Sequence, residues 1–215
     1  RLHWDEYNLF NLVCNRIRSA FDSKIENNTR LWNAYTANTL QSSTGFRDAL
    51  KLTLYRPRDI LVLLNDAFLR ASVQGRDKII IDDINATANT ISQNRLNDLL
   101  KEYETVFPAL DIFTSLFSNK KPDYQVLEAA KLITKALTSP SLENKIKQQD
   151  ILLLDGPIQV IQRLYSIGFL GLYNAQSSSY VFCHDGKEPE KDFSEGSKIL
   201  IHPCYWLAPV SYTHL

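Results

Sequence analysis

The chain has 215 residues, 44% of them hydrophobic and 22% charged, enough for one large packed domain or two small ones. Its 24 Lys and Arg balance 24 Asp and Glu, which argues against a strongly basic nucleic-acid binder. No apolar run approaches the roughly 20 residues of a membrane helix, and three cysteines without CxxC spacing exclude a disulfide framework and fit a reducing, cytoplasmic setting. Met is absent even at position 1, so the sequence reads as an internal or truncated piece of a longer protein.

From Trp4 to Phe21 the apolar residues Leu9, Leu12, Val13, Ile17 and Phe21 recur at helical spacing, with Asp5 as N-cap. Glu26 to Thr44 is polar and predicts a short helix around Leu31 to Tyr35, followed by a loop. Phe46, Leu50 and Leu54 mark another helix. Pro57 then opens a longer one, whose core stripe is Ile60, Leu63, Leu64, Ala67, Phe68 and Ala71, and Gly75 ends it. Lys78 to Ile81 reads as extended. Asp82 is expected to cap a helix over Asp83 to Thr90, and Ser92 a second one over Gln93 to Val106. Leu110, Phe113, Leu116 and Phe117 predict a further short helix.

Ser118 to Pro122 is polar, charged and proline-bearing, and marks a domain boundary. The expected division is a helical domain over 1–119 and a second domain over 122–208. Residues 209–215 read as a non-native tail. In the second domain helices are expected over Tyr124 to Leu137, Leu142 to Leu154 and Ile158 to Ser166. A hairpin of Phe169 to Tyr173 with Tyr180 to His184 follows, then a polar loop and a strand over Lys198 to Ile201. The fold class is mainly α: a helical bundle, then a winged-helix outline with a small β-hairpin.

Arg56-Pro57-Arg58-Asp59 is the leading chemical candidate. Two guanidiniums flank a helix N-terminus, where the dipole already favours an anion such as a nucleotide phosphate. Pairing of these arginines with Asp59 explains the same residues without a ligand. Gln159, Gln162 and Arg163 fall on the outward side of the third helix, where Gln can read adenine and Arg guanine. From Pro122 to Leu215, however, 8 Lys and Arg face 10 Asp and Glu, which favours a protein partner or self-association over DNA. Cys183-His184 and His202-Pro203-Cys204 could in principle bind zinc. Their apolar neighbours favour core packing, as they do for Cys14, so no metal is assigned. No Gly-x-Ser-x-Gly elbow is present, and no catalytic residue is assigned.

The order of the Arg-Pro-Arg-Asp helix start, Lys78-Ile79-Ile80-Ile81-Asp82-Asp83-Ile84 and Ser92 to Tyr103 resembles the region after the nucleotide-binding core in bacterial P-loop ATPases of the AAA-like, KAP-like and STAND kind. The resemblance implies a helical lid followed by a winged helix. It implies that Arg58 faces the phosphates of ATP with Arg56 in support. ATP and Mg²⁺ would belong to the parent protein, whose nucleotide-binding core is then a missing N-terminal partner of this piece. A role in defence or in DNA transactions fits the same resemblance. The chain departs from the pattern in having no Gly-Lys-Ser/Thr phosphate loop, so this piece alone is not expected to bind or hydrolyse ATP. The other reading is a stand-alone winged-helix module without enzymatic activity, either a DNA-binding regulator or a protein adaptor.

Overall fold

A computed structural model describes residues 4–107, 109–118, 121–138, 156–183 and 192–206. It is mainly helical, with one small four-stranded antiparallel sheet. The chain divides into two units, Arg1–Ser92 and Gln93–Leu215.

The first unit is helical. α1 (Glu6–Phe21) begins as expected, with the Asp5 carboxylate accepting the Asn8 N–H at 2.7 Å. Asp22 takes the left-handed conformation at its end. The Arg18 guanidinium then donates to the carbonyls of Ile25 at 2.9 Å and Glu26 at 2.6 Å, which fixes the link to α2 (Asn28–Tyr35). A 3-10 turn, Asn38–Leu40, leads into α3 (Ser42–Leu50). This helix starts and ends earlier than the apolar spacing predicts. The Thr53 hydroxyl takes the Leu50 carbonyl at 2.7 Å, and Tyr55 has φ 53°, so the chain turns before Leu54.

The aromatic centre of this unit is Phe10, Trp32 and Phe46, with ring centroids 4.9 to 6.3 Å apart. Trp32 is fully buried, and its indole N–H donates to the Leu40 carbonyl at 2.6 Å. α4 (Pro57–Val73) buries Ile60, Leu63, Leu64, Ala67 and Ala71, the predicted stripe apart from Phe68, which is half-buried. Gly75, at φ 71°, closes it, with the Arg76 N–H returning to the Ala71 carbonyl at 2.9 Å. The expected extended stretch reduces to one parallel bridge between Ile79 and Thr36.

α5 (Ile81–Tyr103) is one helix of 23 residues where the caps predict two. Ile84, Thr87, Ala88, Ile91, Ser92 and Leu99 keep a buried stripe at three- and four-residue steps through the expected break. Ser92 is therefore a buried mid-helix residue, not a cap. No Pro or Gly interrupts the run, so burial overrides the weak helix formers Asn, Thr and Ser.

In the second unit α6 (Leu110–Ser115) is the short helix expected there. Strand β1 (Asp123–Gln125) precedes α7 (Val126–Leu137) where periodicity predicts helix from Tyr124 onward. A capping box explains the difference. Glu128 accepts the Gln125 N–H at 3.0 Å, which starts the helix at Val126 and leaves Tyr124 free to pair with Ile199. The expected helix over Leu142 to Leu154 lies outside the described residues. Gly156, at φ 110°, leads into α8 (Pro157–Ser166), which buries Val160, Ile161, Leu164 and Tyr165. The hairpin is β2 (Leu170–Asn174) with β3 (Ser179–Val181), and β4 (Lys198–Ile201) inserts between β1 and β2 to give the order β1-β4-β2-β3. A short helix, α9 (Pro203–Trp206), follows. The aromatic centre is Phe117 with Tyr124 at 5.2 Å and Phe169 at 6.3 Å, and Phe169 stacks on Tyr205 at 5.5 Å.

Gly45 shows how tightly the first unit is packed. A Cβ there would lie 2.1 Å from the Leu40 carbonyl oxygen, the same oxygen that Trp32 holds. Gly45→Ala gains at most about 1 kcal/mol of helix propensity. Overpacking against backbone costs about 1–3 kcal/mol. Net destabilisation is expected, read as a lower denaturant midpoint. An equal or higher midpoint would show that the Leu40 turn moves aside freely.

Candidate functional site

The start of α4 is built from sequence-local rules. Tyr55 turns the chain, Arg56 is the extended N-cap residue at φ −110° and ψ 138°, and Pro57 takes the first helical position. The Arg56 carbonyl accepts the N–H groups of Asp59 at 3.1 Å and Ile60 at 3.3 Å. Pro57 has no N–H, and that of Asp59 is already bonded. What this terminus offers an anion is therefore chiefly its two guanidiniums. Arg56 and Arg58 are both exposed, whereas Asp59 is 1% exposed, so the first-turn carboxylate points inward and the arginines outward.

One feature of this unit that sequence spacing missed is the Arg76–Asp83 pair. The two guanidinium nitrogens of Arg76 donate to the two Asp83 oxygens at 2.7 Å each. Arg76 also donates to the Lys78 carbonyl at 3.0 Å, and Asp83 accepts the Ile80 N–H at 2.9 Å. Asp83, not Asp82, therefore caps α5, from the third helical position. The signal available in the sequence was an acid three residues after Ile80, but its Arg partner seven residues away lies outside any capping pattern. The Arg76 guanidinium holds the Asp83 carboxyl below the usual carboxylate range, aided by the Ile80 N–H and opposed by burial.

On α8, Gln159 and Gln162 are exposed and Arg163 is half-exposed, the outward side expected from the helical period. His202 is buried, its Nδ1 accepting the Cys204 N–H at 3.1 Å, and Cys204 is buried too. Cys183 is half-buried, and His184 lies outside the described residues. Among the described residues no cluster of three or more His, Cys, Asp and Glu is placed to hold a metal ion. Burial pushes the Cys14 thiol up to about 11, against the opposing charge of Arg18, so this cysteine packs as an apolar residue. No helix among the described residues is long and apolar enough to cross a membrane.

With this architecture in view, residues 7–100 match the family described as FunZ-associated C-terminal helical domain. That span holds the whole Arg56–Arg58 element and the Arg76–Asp83 pair. The chain is 43% identical over 209 residues to the Escherichia coli K12 protein named Putative transposon gamma-delta 80.3 kDa protein. That match takes in 96% of this chain but only 30% of the length of the Escherichia coli protein. It is also 43% identical over 133 residues to Allergen Alt a 2 of Alternaria alternata, covering 62% of this chain and 70% of that protein. The chain belongs to one family with this Alternaria protein. No solved structure matches it.

The Asp83 pair has a pH signature. Its folded carboxyl titrates below its unfolded value near 4, so its contribution is complete above about pH 4 and is lost as pH falls through the lower folded value. Asp83→Asn should cost about 1–3 kcal/mol at pH 7, since it weakens a charged, buried hydrogen-bond set. The gap between variant and parent should narrow in chemical denaturation below about pH 4. A gap that stays constant with pH would remove the charge from the explanation.

Proposed function

We propose that this chain is the C-terminal regulatory region of a larger P-loop ATPase, in which Arg58, supported by Arg56, senses the nucleotide phosphates. The observation that carries the reading is the start of α4: both arginines are exposed at one helix N-terminus while Asp59 turns inward. A cationic pair at the positive end of the helix dipole is mildly unfavourable by itself, and the charges and the dipole together favour an incoming anion. The matched family, described as a FunZ-associated C-terminal helical domain, supports the C-terminal and helical part of this reading. The Escherichia coli relative, of which the chain spans 30%, leaves room for the nucleotide-binding core. ATP and Mg²⁺ would be held there. That relative is named as a putative transposon protein, which supports a parent encoded on a mobile element. A role in DNA transactions in the cytoplasm is part of the same proposal. The segment beyond Pro122, with its helix–hairpin order and winged-helix outline, would receive the nucleotide signal.

Arg58→Ala in the complete protein should weaken the nucleotide response by about tenfold or more, the scale of a lost charge-assisted contact to phosphate. ATP turnover and ATP-induced protection from proteolysis are the two readouts. If both are unchanged, the reading fails.

A second reading rests on α8, where Gln159 and Gln162 are exposed beside the half-exposed Arg163. It makes the module a binding unit without catalysis. The surplus of acids beyond Pro122 favours a protein partner, or self-association, over DNA on that face. A salt-dependent shift of duplex DNA by the chain would reverse that preference.

A further inference from the structure

Between α1 and α4 lies an open groove of about 100 Å³ whose lining includes Val13, Ile17, Phe21, Leu61, Phe68 and Arg16. This is room for roughly one aliphatic side chain, somewhat less than a cavity that takes benzene. Exposed apolar side chains occur on both helices of the groove. Phe21 remains 47% exposed although it stacks on Tyr35 at 4.6 Å and meets Phe68 at 5.5 Å. Further along α4, Leu69 and Val73 are 63% and 79% exposed. Contiguous exposed apolar side chains around a concave site mark an interaction surface more than scattered ones do.

The charge of the groove lining has one sign. Arg16 is exposed and is the charged residue of the lining, which includes no carboxylate. Arg58 lies on the same face of α4, one turn before Leu61. An apolar slot between two helices with an arginine in its lining fits helix-in-groove recognition.

We propose that this groove docks an amphipathic helix of a partner protein, with one Leu- or Ile-sized anchor in the slot and an Asp or Glu of its flank on Arg16. The anchor supplies apolar burial, and the carboxylate sets orientation and selects against helices with basic flanks.

The test uses the 215-residue chain, isotope-labelled, and two synthetic helices with the same leucine stripe. One carries Glu on its flanks and the other Lys. The Glu-flanked helix should give saturable shifts at Val13, Ile17, Leu61 and Phe68. Arg16→Glu, at an exposed position, should weaken it about tenfold and strengthen the Lys-flanked helix, the pattern of an interfacial charge pair. Ala20→Tyr, also at an exposed position in the lining, should fill the groove and remove both signals. Equal binding of the two helices, no exchange of preference in Arg16→Glu, or no saturable shift with either helix overturns the proposal. So does occupation by a second copy, seen as groove shifts that grow with protein concentration alone.

Discussion

The first unit is organised around one oxygen, the Leu40 carbonyl. It accepts the Trp32 indole N–H at 2.6 Å, and Gly45 packs against it so closely that no Cβ fits. Burying an indole without a partner for its N–H costs on the order of 1–3 kcal/mol, so the 3-10 turn that presents this carbonyl is required by the aromatic core itself. The turn sets where α3 begins, and α3 delivers Phe46 onto Trp32 and Phe10. The placement of α2 and α3 therefore follows from satisfying one buried donor.

A second fixed point is electrostatic. Arg76 and Asp83 join the end of α4 to the start of α5 with two 2.7 Å contacts, and each partner also bonds the intervening backbone. An ion pair in water would contribute little. This one has a carboxylate only 3% exposed that also caps a helix, so it closes the turn where Gly75 has already reversed the chain. Hydrophobic stripes place α4 and α5 in the core, and the Arg76–Asp83 pair sets the path between them.

Elements with a long buried stripe were legible in the sequence. α1, α4, α8 and the β2–β3 hairpin fall close to the expected residues, and apolar period and punctuation agree at Asp5, Pro57 and Gly75. The misreadings share a cause. Polar side chains that look like caps, at Asp82 and Ser92, were given weight that belongs to tertiary burial and to Asp83. At Tyr124 an apolar period hid a strand, because pairing with Ile199 is a contact across 75 positions that no local window contains. The exposure of Gln159 and Gln162 was readable from helical phase alone. The groove was not, because it needs Phe21 of α1 and Phe68 of α4 brought to 5.5 Å. The burial of Asp59 in the first turn of α4 was also hidden.

The geometry of α4 ties these observations together. Residues 58, 61, 65, 68 and 72 recur at three- and four-residue steps, so Arg58, Leu61, Asn65 and Phe68 share one side of a 17-residue helix. The opposite side, Ile60, Leu63, Ala67 and Ala71, is locked into the core. A helix held along one side cannot roll to present Arg58 without also presenting the groove. Arg58 and Leu61 lie one turn apart on this face, about 4.5 Å along the helix axis, so the charge at the N-terminus and the apolar slot adjoin on one side of α4.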